Sequence, residues 1–120
     1  MNPIFDLSYL LSLSDDPTFL QQMIQSFLKI VPNQVQSLKE ALDKDDAIQS
    51  ALVLHQLKPS MQAFGCNALI PEIIELEKLA KNGNAPSEQT DRYNQLIEDV
   101  NQCIASLMAL KEKDDTISQS

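Results

Sequence analysis

The chain contains no tryptophan, one histidine, two glycines and two cysteines, and only 5% of its residues are aromatic. Each shortage excludes something. Glycine and proline together number 2 + 6 = 8, too few turn formers for an all-β sandwich. No glycine-rich loop is present to cradle phosphates, so ATP binding and an ATP-dependent kinase activity are not expected. Two cysteines, Cys66 and Cys103, make neither a disulfide framework nor a metal-ligand spacing, and they read as reduced thiols. A lone histidine without a carboxylate cluster on facing helices supplies no metal site. No run reaches the roughly 18 apolar residues of a membrane span. Residues Met1 to Phe5 lack the basic head and apolar stretch of a signal peptide, which makes the cytoplasm the expected location. Basic residues are scarce too. Nine Lys and Arg face 17 Asp and Glu, a formal net charge of −8. That balance argues against nucleic acid and anionic membrane partners and leaves proteins as the expected ones.

What remains is helix-forming. Leucine outnumbers valine 17 to 4, which favours helix over sheet. Apolar spacing predicts five helical stretches. The first covers Asp6 to Leu13. After Asp16 as cap and Pro17 at the first helical position, the second carries Phe19, Leu20, Met23, Ile24, Phe27, Leu28 and Val31. Val35, Leu38 and Leu42 continue the same stripe beyond Pro32, so one long helix with a kink at Pro32 is the economical reading. The acidic run Asp43 to Asp46 breaks it. The third helix has Ala47, Leu54, Leu57, Met61 and Phe64 as its stripe and ends at Gly65, which suits a left-handed position just past a helix. Asn67 is expected to cap the fourth helix, with Pro71 in its first turn and Ile70, Ile73, Ile74, Leu76 and Leu79 turned inward. Asn82 to Pro86 is a loop. Ser87 is expected to open the last helix, which buries Tyr93, Leu96, Ile97, Val100, Ile104, Leu107 and Leu110. These patterns predict an all-α fold: an antiparallel up-and-down four-helix bundle with a short extra N-terminal helix. One domain over residues 1–112 is expected, followed by a polar, frayed tail over 113–120.

His55 is the one residue that invites chemistry. It lies one position off the Leu54–Leu57–Met61–Phe64 stripe, toward the edge of the core, and shares its face with Ala51, Lys58, Pro59 and Gln62. Spacing alone makes it a half-exposed surface histidine, since nothing orders a nucleophile or acid around it in a catalytic triad. Glu72, Glu75 and Glu77 read together as a solvated face of the fourth helix.

The run His55-Gln56-Leu57-Lys58-Pro59, with Gly65 ten residues after the histidine, resembles the signature of histidine-containing phosphotransfer (HPt) domains. His55, Leu57, Lys58 and Gly65 match in type and spacing. The similarity extends through Asp15-Asp16-Pro17, Met23-Ile24 and Phe27 upstream and Leu76-Glu77 and Asn82-Gly83 downstream, and so covers about Asp6 to Leu110. The residue after the lysine is usually glycine and the one before the histidine often alanine; here they are Pro59 and Leu54. The resemblance implies a phosphocarrier that accepts a phosphoryl group on His55 from a receiver-domain aspartate and passes it to another receiver. Lys58, one turn on and facing solvent, would offset phosphoryl charge, and Ala51, Pro59 and Gln62 would form the docking surface. Partners would be response-regulator receivers or a hybrid histidine kinase, the receiver would bring magnesium, and this chain, a monomer, would bind no cofactor or metal. The rival reading, kept alive by Pro59, is a helical adaptor that docks a receiver or kinase without phosphotransfer. A start at Met1 reads as a free-standing protein, and a domain cut from a hybrid kinase would read the same.

Geometry singles out Glu77. His55 lies ten residues before Gly65, and Glu77 ten after Asn67. At a rise of about 1.5 Å per residue the two should be level on antiparallel neighbours. By resemblance this position holds a glutamate or glutamine that orients the imidazole, so Glu77 is expected either to hold His55 or merely to solvate its helix.

Overall fold

A 28-residue helix that carries a proline in its interior shows how the sequence builds the fold. In the computed structural model, which describes residues 5–119 and side chains through Glu112, α1 spans Ser8–Leu13 and α2 spans Pro17–Lys44. The Asp16 carboxylate accepts a hydrogen bond from the Thr18 N–H at 2.9 Å, and Pro17 follows where its missing N–H costs nothing. Pro32 sits inside α2 without ending it. Its ring is exposed, while Ile24, Phe27, Val31, Val35, Leu38 and Ala41 keep one continuous buried stripe across it. Burial of that stripe on both sides of the proline outweighs a penalty of about 3 kcal/mol.

α3 runs Ala47–Ala63, α4 Ile70–Lys81 and α5 Thr90–Gln119. Among the described residues there is no β-strand. α3 packs most extensively against α4 and also against α2; α2 packs against α5, whereas α4 and α5 meet only sparsely. One cluster joins the buried faces, with Val31, Leu54, Leu57, Met61, Ile73, Leu76, Val100, Cys103 and Leu107 fully enclosed. Leu10 carries α1 into the same cluster.

Three helices close in one way. A left-handed residue lies one position past α2, Asp45, and two positions past α3 and α4, Gly65 and Gly83, with φ of 56°, 66° and 87°. At each end the following N–H reaches back five residues, from Asp46 to Ala41, Cys66 to Met61 and Asn84 to Leu79, at 2.8 to 3.0 Å. This left-handed closure satisfies carbonyls that a helix end would otherwise leave unpaired.

Two boundaries differ from expectation. Asn67 does not cap α4. It opens a 3₁₀ turn over Asn67–Leu69, and α4 starts at Ile70 with no side-chain cap, its neighbour Pro71 filling the first turn. Ser87 likewise lies in a 3₁₀ turn, Pro86–Gln89, and α5 starts at Thr90. The reason is tertiary. The Ser87 N–H and hydroxyl both donate to the Asp45 carboxylate, at 2.8 and 3.0 Å, so the serine ties two turns together instead of capping its own helix. The expected polar tail over 113–120 falls on residues whose side chains lie outside those described.

Candidate functional site

α3 presents two faces. Val53, Leu54, Leu57 and Met61 anchor it in the core, and the opposite face repeats at positions 48, 52, 55 and 59, which align on a 3.6-residue helix. Ile48 is 85% and Leu52 57% exposed, and Pro59 is exposed as well. His55 stands in this row, with its side chain 63% exposed.

The imidazole is exposed but not loose. Its Nδ1 lies 3.0 Å from Oε2 of Glu77. A carboxylate only accepts, so Nδ1 donates, and in the neutral ring the lone pair then lies on Nε2. Glu77 itself is buried, at 5% exposure, in the stripe of α4 that includes Ile73, Leu76 and Ala80. The expectation of a solvated acidic face therefore fails for this residue. The registration argument holds: the two side chains meet across the α3–α4 seam.

A carboxylate taken out of water needs compensation. Lys81, one turn on along α4, places Nζ 3.0 Å from Oε2, and Lys58 of α3 places Nζ 3.7 Å from Oε1. Burial alone would push the Glu77 carboxyl up; hydrogen bonds from Lys81 and His55 and the charges of Lys81 and Lys58 override it and hold the group below the usual carboxylate range. One carboxylate and two lysines leave a local formal charge of 2 − 1 = +1 beside the imidazole, on a chain whose total is −8. Lys58 is thus not simply solvated: it is 29% exposed and tied to Glu77.

Of the expected docking residues, Pro59 and Gln62 are exposed and Ala51 is half-buried. Sequence spacing missed Lys81, although its position four residues after Glu77 was a readable ion-pair signal. It also missed Ile48 and Leu52, because isolated apolar residues flanking a core stripe look like more core. Glu72 pairs instead with Arg92 of α5, whose Nε and Nη2 reach the carboxylate at 3.0 and 2.5 Å. Among the described residues, no three His, Cys, Asp or Glu side chains are grouped to hold a metal ion, and no helix is long and apolar enough to cross a membrane.

A family model described as the Hpt domain matches residues 22–107. The matched segment contains His55, Lys58, Glu77 and Lys81, and runs from α2 through most of α5. No curated protein and no solved structure gives a significant match.

Proposed function

The chain belongs to the Hpt domain family, whose members carry out histidine phosphotransfer in two-component signalling, and from that premise we propose that it relays a phosphoryl group on His55 between receiver domains. The observation that carries this reading is an exposed imidazole whose Nδ1 is held by a buried carboxylate. That arrangement sets the tautomer and aims Nε2 outward, which a surface histidine without a task does not need.

In the forward step the Nε2 lone pair attacks phosphorus of a receiver acyl phosphate. The new bond is N–P, the bond broken is the P–O bond to the aspartate, and the aspartate leaves as a carboxylate. The ring, now bonded at Nε2 and still protonated at Nδ1, takes on positive charge, which Glu77 stabilises from 3.0 Å. Lys58 sits beside the imidazole and offsets charge on the transferring oxygens. Passage to a second receiver reverses these events. The receiver supplies the aspartate and the magnesium that polarises the phosphoryl group; this chain supplies the nucleophile and its orientation. Ile48, Leu52 and Pro59 flank His55 along one row of α3 and, with Gln62 and the edge of Ala51, give a receiver or hybrid kinase an apolar surface to cover.

The same reading takes the four long helices as an antiparallel up-and-down bundle with α1 as an extra N-terminal helix. Residues 1–112 then form one domain and 113–120 a polar tail, in a cytoplasmic, monomeric phosphocarrier that binds no cofactor of its own. Incubation with a phosphorylated receiver tests the function. Acid-labile, base-stable label should enter the wild-type chain and be absent from His55→Gln. Receiver binding without label would establish the adaptor in its place.

A further inference from the structure

Cys66 and Cys103 lie 37 residues apart in sequence, yet their sulfurs meet in the core. Cys66 follows Gly65 in the turn that closes α3, and its backbone N–H is fixed by the Met61 carbonyl at 2.9 Å. Cys103 faces inward from α5. The two Sγ atoms are 3.3 Å apart, with Cys103 donating to Cys66, and both residues are fully buried and unbonded. No mechanistic step above uses either thiol. A disulfide needs about 2.05 Å between sulfurs, so a shift of little more than 1 Å, shared between a turn and a helix, would join them.

We propose that Cys66 and Cys103 form a redox site that closes to an intramolecular disulfide when the protein meets a peroxide. The chemistry balances in two steps. The Cys66 sulfur, having given up its proton, attacks one peroxide oxygen; the O–O bond breaks, the sulfur becomes a sulfenic acid, and the departing hydroxide takes up that proton and leaves as water. Cys103 sulfur then attacks the sulfenic sulfur, the S–O bond breaks, a second water leaves and the S–S bond forms. Two thiols are oxidised and one hydrogen peroxide is reduced to two waters.

The order of attack follows from the surroundings. The hydrogen bond from Cys103 favours the Cys66 thiolate and lowers its pKa against the effect of burial. The same bond, burial and the negative charges of Cys66 and Asp99 push the Cys103 thiol up, which makes it the resolving partner. Cys66 is itself closed off from solvent, but its sequence neighbours are not. The residues on either side of Cys66, Gly65 and Asn67, line an open groove shared with Pro59 and Gln62, so a small neutral oxidant needs only a local opening to reach the pair. Once closed, the bond would fasten the α3–α4 turn to α5 and enclose all of α4, the helix that makes few contacts with α5 on its own.

The test uses the whole chain treated with hydrogen peroxide and, separately, with diamide. Expected are a mass loss of about 2 Da reversed by dithiothreitol, disappearance of both free thiols, a monomer on a non-reducing gel, and a thermal midpoint raised by about 10 °C. Cys66→Ala and Cys103→Ala should each abolish the mass loss and the rise in midpoint. Mass gains of about 16 to 48 Da in place of the loss, disulfide-linked dimers, or two thiols surviving both reagents would overturn the proposal. An intramolecular disulfide that leaves the midpoint unchanged or lower would overturn the fastening of α4.

Discussion

The two seams that flank α4 are made from the same parts and come out opposite. Toward α3, the seam has a glycine turn at one end, Gly65, and a carboxylate of α4, Glu77, met by cations. Toward α5 it has another glycine turn, Gly83, and another carboxylate, Glu72, met by Arg92. The turns are locally alike, with the same left-handed closure. Their surroundings are not. A Cβ on Gly65 would overlap the backbone of Asp6, whose N–H donates to the Phe64 carbonyl at 2.9 Å, whereas a Cβ on Gly83 would meet nothing. Glu77 is 5% exposed, while the Glu72–Arg92 pair sits at the half-exposed edge. Local sequence chemistry chooses the turn and the ion pair; what the rest of the chain lays over them decides whether they matter.

The sharpest way to break this comparison is to add a methyl to each glycine. Gly65→Ala combines a left-handed strain with a backbone clash and should cost about 3 kcal/mol. Gly83→Ala carries the strain alone and should cost about 1 kcal/mol. Urea unfolding of both proteins measures the gap, and equal losses would mean that the Asp6 segment yields freely.

A smaller effect separates the carboxylates by function. Glu77→Ala should slow labelling of His55 at least about tenfold and scramble the tautomer, which ¹⁵N shifts of the imidazole report directly. Glu72→Ala should leave both unchanged. Lys58→Ala should slow transfer while moving the thermal midpoint little, because its partner keeps Lys81.

Acid sharpens the comparison further. Hydrogen bonds and the charge of Arg92 hold the Glu72 carboxyl below its usual range, as the lysines and His55 hold Glu77. For a carboxyl lowered in the folded state, the unfolded chain binds more protons as pH falls, so the stabilisation is present at neutral pH. It should fade as pH drops through about 4 toward the folded-state value. Denaturant midpoints measured from neutral pH downward should fall, and fall less steeply in Glu77→Gln and in Glu72→Gln. The smallest effect belongs to Arg92→Ala, a loss below about 1 kcal/mol that salt diminishes, as an exposed pair requires.

The legible part of the molecule was the part set by local pattern. The stripe of α2 read through Pro32 because burial repeats every three to four residues on either side of it. Gly65 read as a left-handed residue because a helix stripe stopped beside it. The His55–Glu77 pairing was legible only by combining motif, registration and the length of the helices, and its burial was not, since three glutamates in six residues look like a solvated face. Asn67 and Ser87 misled because each has the chemistry of a cap, yet Asn67 opens a 3₁₀ turn ahead of its helix and Ser87 is engaged by Asp45. The buried bond between Ser50 of α3 and the Tyr93 hydroxyl of α5, and the meeting of Cys66 with Cys103, leave no one-dimensional trace at all.

The lysine-compensated carboxylate beside His55 also bears on how partners arrive. A body of formal charge −8 repels anions at long range, and a phosphoryl group is an anion. The small positive field of Lys58 and Lys81 around Glu77 opens a window in that repulsion beside the imidazole. Under the proposed relay, a phosphoryl-bearing surface is repelled less beside His55 than elsewhere, a bias in orientation that added salt should weaken.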